Sequence, residues 1–423
     1  MNNIKGLKIR NLSKASKNFY INIMEGILQV ASATFINIDT VVPALIMGLG
    51  GPNSLVGLTR GFATFILQMP QIIAAPYIER LPLKKGFVLR SRLVYTIALL
   101  ASGLAIGLLT KINGTLGLVV FLITLFISWF AWGLGDPAWV DLMAKINPSH
   151  KLGDFFTTRF FLGNIAGIFA SYAMGSILSL DIHPYNYALV YIISFILAGS
   201  ANYVFTLTQE DKEPVTEKTG SLLSYLKKIP NTLHEDPNFS LFLVANLMYI
   251  LATMSIPLFV VYGFRRFSLP QSFTGVATIL IITGQLIGAF LLRFVSKKFG
   301  HKIGLVMGIT SIFTANLIAV FAEVPTLYYA VFFLVGLTLC SNNTSKFAFL
   351  VNIAPLDQRP SYLAYINACG SPFVLISPFL GGILADKLGY TAPFLTALLS
   401  ASICLYLLVF KVTEKRKVEG IIV

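Results

Sequence analysis

The chain has 423 residues, of which 56% are hydrophobic and 12% charged, with a formal net charge of +14. A soluble domain carries about a quarter charged residues, so a water-soluble globular enzyme does not fit this composition. The positive excess sits in short loops between apolar blocks, where membrane topology accounts for it without nucleic acid as a partner.

Blocks of 18 or more apolar residues are long enough to cross the hydrocarbon core as helices. They are continuously apolar rather than alternating, which favours helices over barrel strands. Twelve such blocks are expected, at 20–47, 54–78, 93–110, 115–135, 160–180, 185–207, 239–264, 271–293, 303–322, 326–347, 362–385 and 391–410. Basic residues precede the first block as they would a signal peptide, but the block is too long and contains Glu25 and Asp39, so it reads as the first span. Residues 208–238 carry six acids and four lysines and divide the chain into an N-terminal bundle at 1–207 and a C-terminal bundle at 239–423. Within that central loop a short amphipathic helix is expected at 221–229. Of the 32 lysines and arginines, 27 fall on the side of the two termini. That asymmetry places both termini in the cytoplasm, with the protein multi-pass in the plasma (inner) membrane. The three cysteines lie inside spans and suggest neither disulfide nor metal site, and no organic cofactor is expected.

The first span has a polar stripe: Glu25, Gln29, Ser32, Asp39 and Pro43 fall near one helix face. Ionisable groups in a span are costly and mark functional positions. Asp39 sits about 9 Å past the midpoint toward the outside. Two roles are open to it: proton binding at a cavity wall, or a structural pair with Arg60 on the second span. Glu25 is the second proton-binding candidate, its alternative being a carboxylate reaching the headgroups. Gln71 shares the face of Arg60. In span 4, Trp129 and Trp132 can wall a flat solute or simply pack. In the second half, Asn246, Tyr249, Gln285, Asn343 and Asn367 offer neutral polar groups for substrate hydroxyls or amides, or for helix–helix hydrogen bonds. The expected partners are a small-molecule substrate and the lipid bilayer, with a proton or sodium as coupling ion and a monomer as the working unit.

The chain also repeats itself. Ile146-Asn-Pro148 matches Ile353-Ala-Pro355, Phe155 matches Tyr362 and Gly175 matches Gly382, all at one offset of 207 residues. A half-length duplication around a charged loop is a parallel repeat of transporter type. Between spans 2 and 3 stands Ala75-Pro-Tyr-Ile-Glu79-Arg80-Leu-Pro82-Leu-Lys84-Lys85, and between spans 8 and 9 stands Lys297-Lys298-Phe-Gly300-His301-Lys302. These loops resemble the major facilitator superfamily signature Gly-x-x-x-Asp-Arg-x-Gly-x-Arg/Lys-Arg/Lys, with Glu for Asp and Ala and Pro for the glycines in the first copy. A fuller match, Gly382-Ile-Leu-Ala-Asp386-Lys387-Leu-Gly389, ends span 11 on the outer side and is therefore not given the same role.

The resemblance implies an all-α polytopic membrane protein with twelve transmembrane helices as two six-helix bundles related by a pseudo-twofold axis. It implies a secondary active transporter rather than an enzyme. It also implies gating roles for Glu79, Arg80 and Lys84, with Asp141 as the partner of Arg80 and Arg159 among the charges that pair across the following loop. In span 4, Leu125-Phe-Ile-Ser-Trp129-Phe-Ala-Trp132-Gly133-Leu-Gly135 keeps the spacing of the family's proton-antiporter motif but puts tryptophans where that motif has Arg and Gln. That substitution argues against ordinary drug–proton efflux, while the strongly apolar interior argues for lipophilic cargo, so an efflux pump for lipophilic compounds is the alternative to uptake, and a non-transporting scaffold or receptor a more distant one.

Overall fold

The structure, a computed structural model, describes residues 14–212, 229–355, 358–414, 417–418 and 421–422. Most of the amphipathic helix expected at 221–229 lies outside the described residues. The helices of the first half are α1 (Lys14–Phe35), α2 (Val41–Gly48), α3 (Asn53–Glu79), α4 (Lys85–Leu104, continued by a π-helical turn at Ala105–Leu109 and a last turn at Thr110–Ile112), α5 (Gly114–Ile146), α6 (Ser149–Leu178) and α7 (Tyr185–Thr206). A short α8 (Ile229–Glu235) leads into the second half, with α9 (Pro237–Ala252), α10 (Ile256–Phe267), α11 (Phe273–Phe299) and α12 (His301–Phe321). It closes with α13 (Pro325–Ile353), α14 (Arg359–Leu388) and α15 (Thr391–Tyr406). Two-residue strands at 417–418 and 421–422 pair at the C-terminus.

Among the described residues, ten helices are long and apolar enough to cross a membrane. The first two expected spans are not among the ten, and they are the ones that carry Glu25, Asp39 and Arg60. The first span is not one helix. It breaks between Phe35 and Val41, and the seventh breaks between Ala252 and Ile256. Both breaks have the same cause. A proline cannot donate to the carbonyl four residues back and its ring crowds that carbonyl. Pro43 stands four residues after Asp39 and Pro257 four after Thr253, so each proline falls in the first turn of a restarted helix, where it is tolerated. The first span, read at 20–47, is thus two helices, whereas the seventh, read at 239–264, remains one candidate membrane span at Pro237–Phe267 with a break before its proline.

The two halves pack alike. In the first, α4 and α3 each pack on α5, α1 packs on α6 and α7, and α4 on α7. In the second, α12 and α11 pack on α13, α9 on α14 and α15, and α12 on α15. Across the middle, α3 lies on α14 and α6 on α11. The likeness extends to single hydrogen bonds. Glu210 caps α4 through the amides of Lys84 and Lys85, and Glu414 caps α12 through those of His301 and Lys302. Lys145 donates to Glu210 at 3.1 Å and Asn352 to Glu414 at 3.1 Å, and the two donors stand 207 residues apart. Asn18 exchanges two hydrogen bonds with Gln209, as Asn238 does with Thr413. In a membrane the interior offers little hydrophobic drive for helix association, so such bonds and close packing hold the bundles.

Candidate functional site

The polar stripe of α1 points into the first bundle. Glu25 is fully buried. Its Oε1 accepts from Arg92 Nη1 of α4 at 2.8 Å, and its Oε2 pairs with Arg159 of α6. Arg159 also donates to the Asn22 carbonyl at 2.7 Å. It can lie across α1 because Gly26 has no side chain: a Cβ there would fall 2.2 Å from Arg159 Nη1. Aromatic rings enclose the cations. Arg92 sits 5.3 Å from the Trp132 ring centroid and 4.6 Å from Phe205, and Arg159 sits 4.7 Å from Trp139. A buried carboxylate held by two guanidiniums is well compensated for its desolvation. Glu25 thus does not reach the headgroups, which corrects that alternative for it. Arg159, expected among the loop charges, belongs to this cluster instead.

Arg92 escaped the sequence reading because the boundary at residue 93 left it in a loop. In the structure it lies two turns inside α4 and is 3% exposed. Asp136, half-buried on α5, lies within electrostatic reach of both Arg92 and Arg159. Its spacing was a signal: Trp132, Asp136 and Trp139 share one face of α5.

Nearer the face away from the termini, Asp39 pairs with Arg60 of α3. Asp39 lies in the non-helical break of the first span and is buried. The next residue, Thr40, shares a 2.7 Å hydrogen bond with Thr278 of α11, in the other half. The break thus holds a buried ion pair beside a contact that joins the two halves.

The remaining predicted residues divide. Gln29 is buried, with Oε1 lacking a partner among the described residues. Gln71 donates to the Leu67 carbonyl at 3.0 Å. Trp129 is buried against Phe126, and Trp132 packs on Tyr95. Tyr249 spends its hydroxyl on the Thr338 carbonyl at 2.9 Å, so it braces α9 on α13. Asn246 is buried, Gln285 half-buried, and Asn343 and Asn367 exposed. Lys346 of α13, half-buried, has no hydrogen bond or ion pair among the described residues, and it borders a small void with Asn246 and Asn342.

The gating loop is wired differently from the expected pairing. Lys84, not Arg80, forms the ion pair with Asp141, and Arg80 is exposed. The reason is local. The helix α3 ends at Glu79, and its chain direction carries Arg80 to solvent, whereas Lys84 opens α4 beside the end of α5. The side chain of Glu79 lies outside the described residues. Among the described residues no group of three His, Cys, Asp or Glu side chains could hold a metal ion.

Residues 241–421 match the family model described as Major Facilitator Superfamily. A curated relative, the class H tetracycline resistance protein of Pasteurella multocida, is 29% identical over 145 residues, covering 34% of this chain and 36% of its own. The match thus spans about a third of that relative's length. Among solved structures, a variant of the nucleoside transporter NupG superposes with a TM-score of 0.71 at 12% identity, over 94% of this chain and 98% of its own. The D-xylose-proton symporter gives 0.69 at 14% identity, over 95% and 97%. A POT family transporter in complex with 5-aminolevulinic acid gives 0.71 at 11%, over 94% and 96%. At such identities these likenesses speak for the fold alone.

Proposed function

We propose that the chain, which matches the Major Facilitator Superfamily model over residues 241–421, is a multi-pass secondary transporter of that family and a proton-coupled carrier of a small organic solute working by alternating access. The halves 1–207 and 239–423 rock as units, joined by 208–238. The termini lie in the cytoplasm, so the face bearing Asn53 and Asp386 is the outer one. The protein acts as a monomer in the plasma (inner) membrane.

The observation that carries the coupling is Asp39. It is a buried carboxylate in an unwound segment, paired with Arg60 and one residue from the Thr40–Thr278 bond between the halves. Ionisable residues in broken membrane helices are where coupling ions are bound. A proton on Asp39 removes its charge, frees Arg60, and loosens the segment that links the halves. Proton binding is assigned to Asp39 rather than Glu25, because Glu25 is held by two arginines at once. Lys346, together with the exposed amides of Asn343 and Asn367, favours a solute with an anionic group and further hydrogen-bonding groups.

Proteoliposomes test this with and without an inward proton gradient. Asp39→Asn is expected to keep solute exchange and lose gradient-driven accumulation. Full accumulation by Asp39→Asn would remove the coupling role and leave the pair as a strut. Lipophilic efflux is the second reading, favoured by the tetracycline resistance relative. It predicts that tetracycline-like drugs, rather than organic acids, shift the thermal unfolding of the purified protein.

A further inference from the structure

Among the described residues, three helix starts are capped by a carboxylate brought from a distant part of the chain. Glu210 takes the Lys84 and Lys85 amides at 2.9 and 2.8 Å, and Glu414 takes the His301 and Lys302 amides at 3.0 and 2.9 Å. The first of these ties the start of the central segment to the first half and the second lies within the second half, so neither crosses from one half to the other. The third does. Asp386, in the last turn of α14, caps α3 of the other half. Its Oδ1 accepts from the amide and the Nδ2 of Asn53, both at 2.9 Å, and its Oδ2 accepts from the Ser54 amide at 2.8 Å. Tyr390 adds its hydroxyl to Asn53 Oδ1 at 2.8 Å.

The cap is seated by backbones in contact. A Cβ on Gly57 would fall 1.9 Å from the Pro378 carbonyl oxygen, one on Gly61 2.3 Å from that of Leu375, and one on Gly382 2.3 Å from that of Asn53. A carboxylate as short as that of Asp386 reaches the α3 amides only when the two helices lie this close. The pseudo-symmetric seam between α6 and α11 is equally tight, since a Cβ on Gly275 would fall 2.7 Å from the Gly175 Cα. Yet that seam has no such acid among the described residues. The residue 207 positions before Asp386 is Ser179, whose hydroxyl bonds the Ser176 carbonyl at 2.6 Å. The hydrogen bond there is between the amides of Asn186 and Gln271, at 3.3 Å.

We infer that Asp386 is the latch of the outer gate, a positioning residue whose carboxylate holds the outer face shut and is released once in every transport cycle. The inference rests on the alternating-access reading and adds to it the residue that sets the balance of its two states. A cap inside a half survives rocking and contributes to the stability of that half. A cap between halves is broken whenever α3 and α14 part, so its strength appears as a bias between open and shut. Asp386 is exposed, and its released carboxylate and the freed amides return to water, so the bias is moderate and the gate is not trapped.

Hydrogen–deuterium exchange on the full chain in lipid nanodiscs, together with thermal unfolding, tests this. Asp386→Ala is expected to speed exchange in the peptides covering 53–61 and 375–386 by roughly 2- to 30-fold, the range of helix-cap strengths, with little change in thermal unfolding. Tyr390→Phe should act in the same direction and less strongly. Glu414→Ala should do the reverse: a lower unfolding temperature with exchange at the start of α3 unchanged. Wild-type exchange at 53–61 in Asp386→Ala would overturn the latch, and so would a loss of folding or an unfolding shift matching that of Glu414→Ala. If the wild-type protein itself never opens at 53–61 while it transports solute, the alternating-access reading fails instead.

Discussion

Glu25, Arg92 and Arg159 form a cluster in which each charge depends on the others. Removing one member leaves its partner buried and uncompensated, which costs about 3–5 kcal/mol. Glu25→Gln strands two guanidiniums among Trp132, Trp139 and Phe205, so thermal or denaturant unfolding of the purified variant should show a loss of that size. A variant as stable as the wild type would mean that Asp136 takes over as counter-ion. The sequence made Glu25 conspicuous, because an acid in an apolar block has no bland reason to be there. Arg92 was not conspicuous, since it lies close enough to a basic loop to count as part of one. Only its depth inside α4 separates a buried cation from a topology signal. The same limit explains the exchange of Arg80 for Lys84 as partner of Asp141: which of three neighbouring cations meets an acid depends on where α3 stops.

At the scale of the helix, the two broken spans stand at equivalent places in the two halves, and prolines explain both. Pro257→Ala restores a donor to the Thr253 carbonyl and removes the crowding, allowing α9 and α10 to join. The expected result is equal or higher thermal stability with solute turnover reduced several-fold, measured in the same proteoliposomes. Unchanged turnover would mean that the break is not used in the cycle. The prolines were visible in the chain and the one at 257 marked a kink, but where each helix stops and restarts is set by the packing around Asp39 and Thr253. The glutamate caps were hidden for a different reason. Glu210 and Glu414 sit in polar segments where any acid looks solvated, and only the return of the chain beside α4 and α12 gives them their role.

Considered whole, the protein is shut on one face. Each hydrogen bond that joins the halves among the described residues lies toward the face away from the termini, at Thr40–Thr278, Asn53–Asp386, Ser54–Asp386, Asn53–Tyr390 and Asn186–Gln271. A side chain added in that seam should pry it apart. Gly57→Leu is expected to shift the population toward an outer-open form, read as faster exchange of the 375–386 peptide and a lower apparent affinity for solute presented from the cytoplasmic side. Unaltered exchange would show that the seam tolerates a shift without opening. Composition and hydropathy alone determined that this is a helical membrane protein, because apolar blocks of that length have no other way to satisfy their backbone in lipid. The constant offset of 207 residues determined that it is built twice. Tertiary structure decided the pairings: which arginine meets Glu25, which lysine meets Asp141, and that Asp386 reaches into the other half. Ion pairs and hydrogen bonds reach only a few ångströms, and the contacts that matter join residues separated by up to 337 positions in the chain.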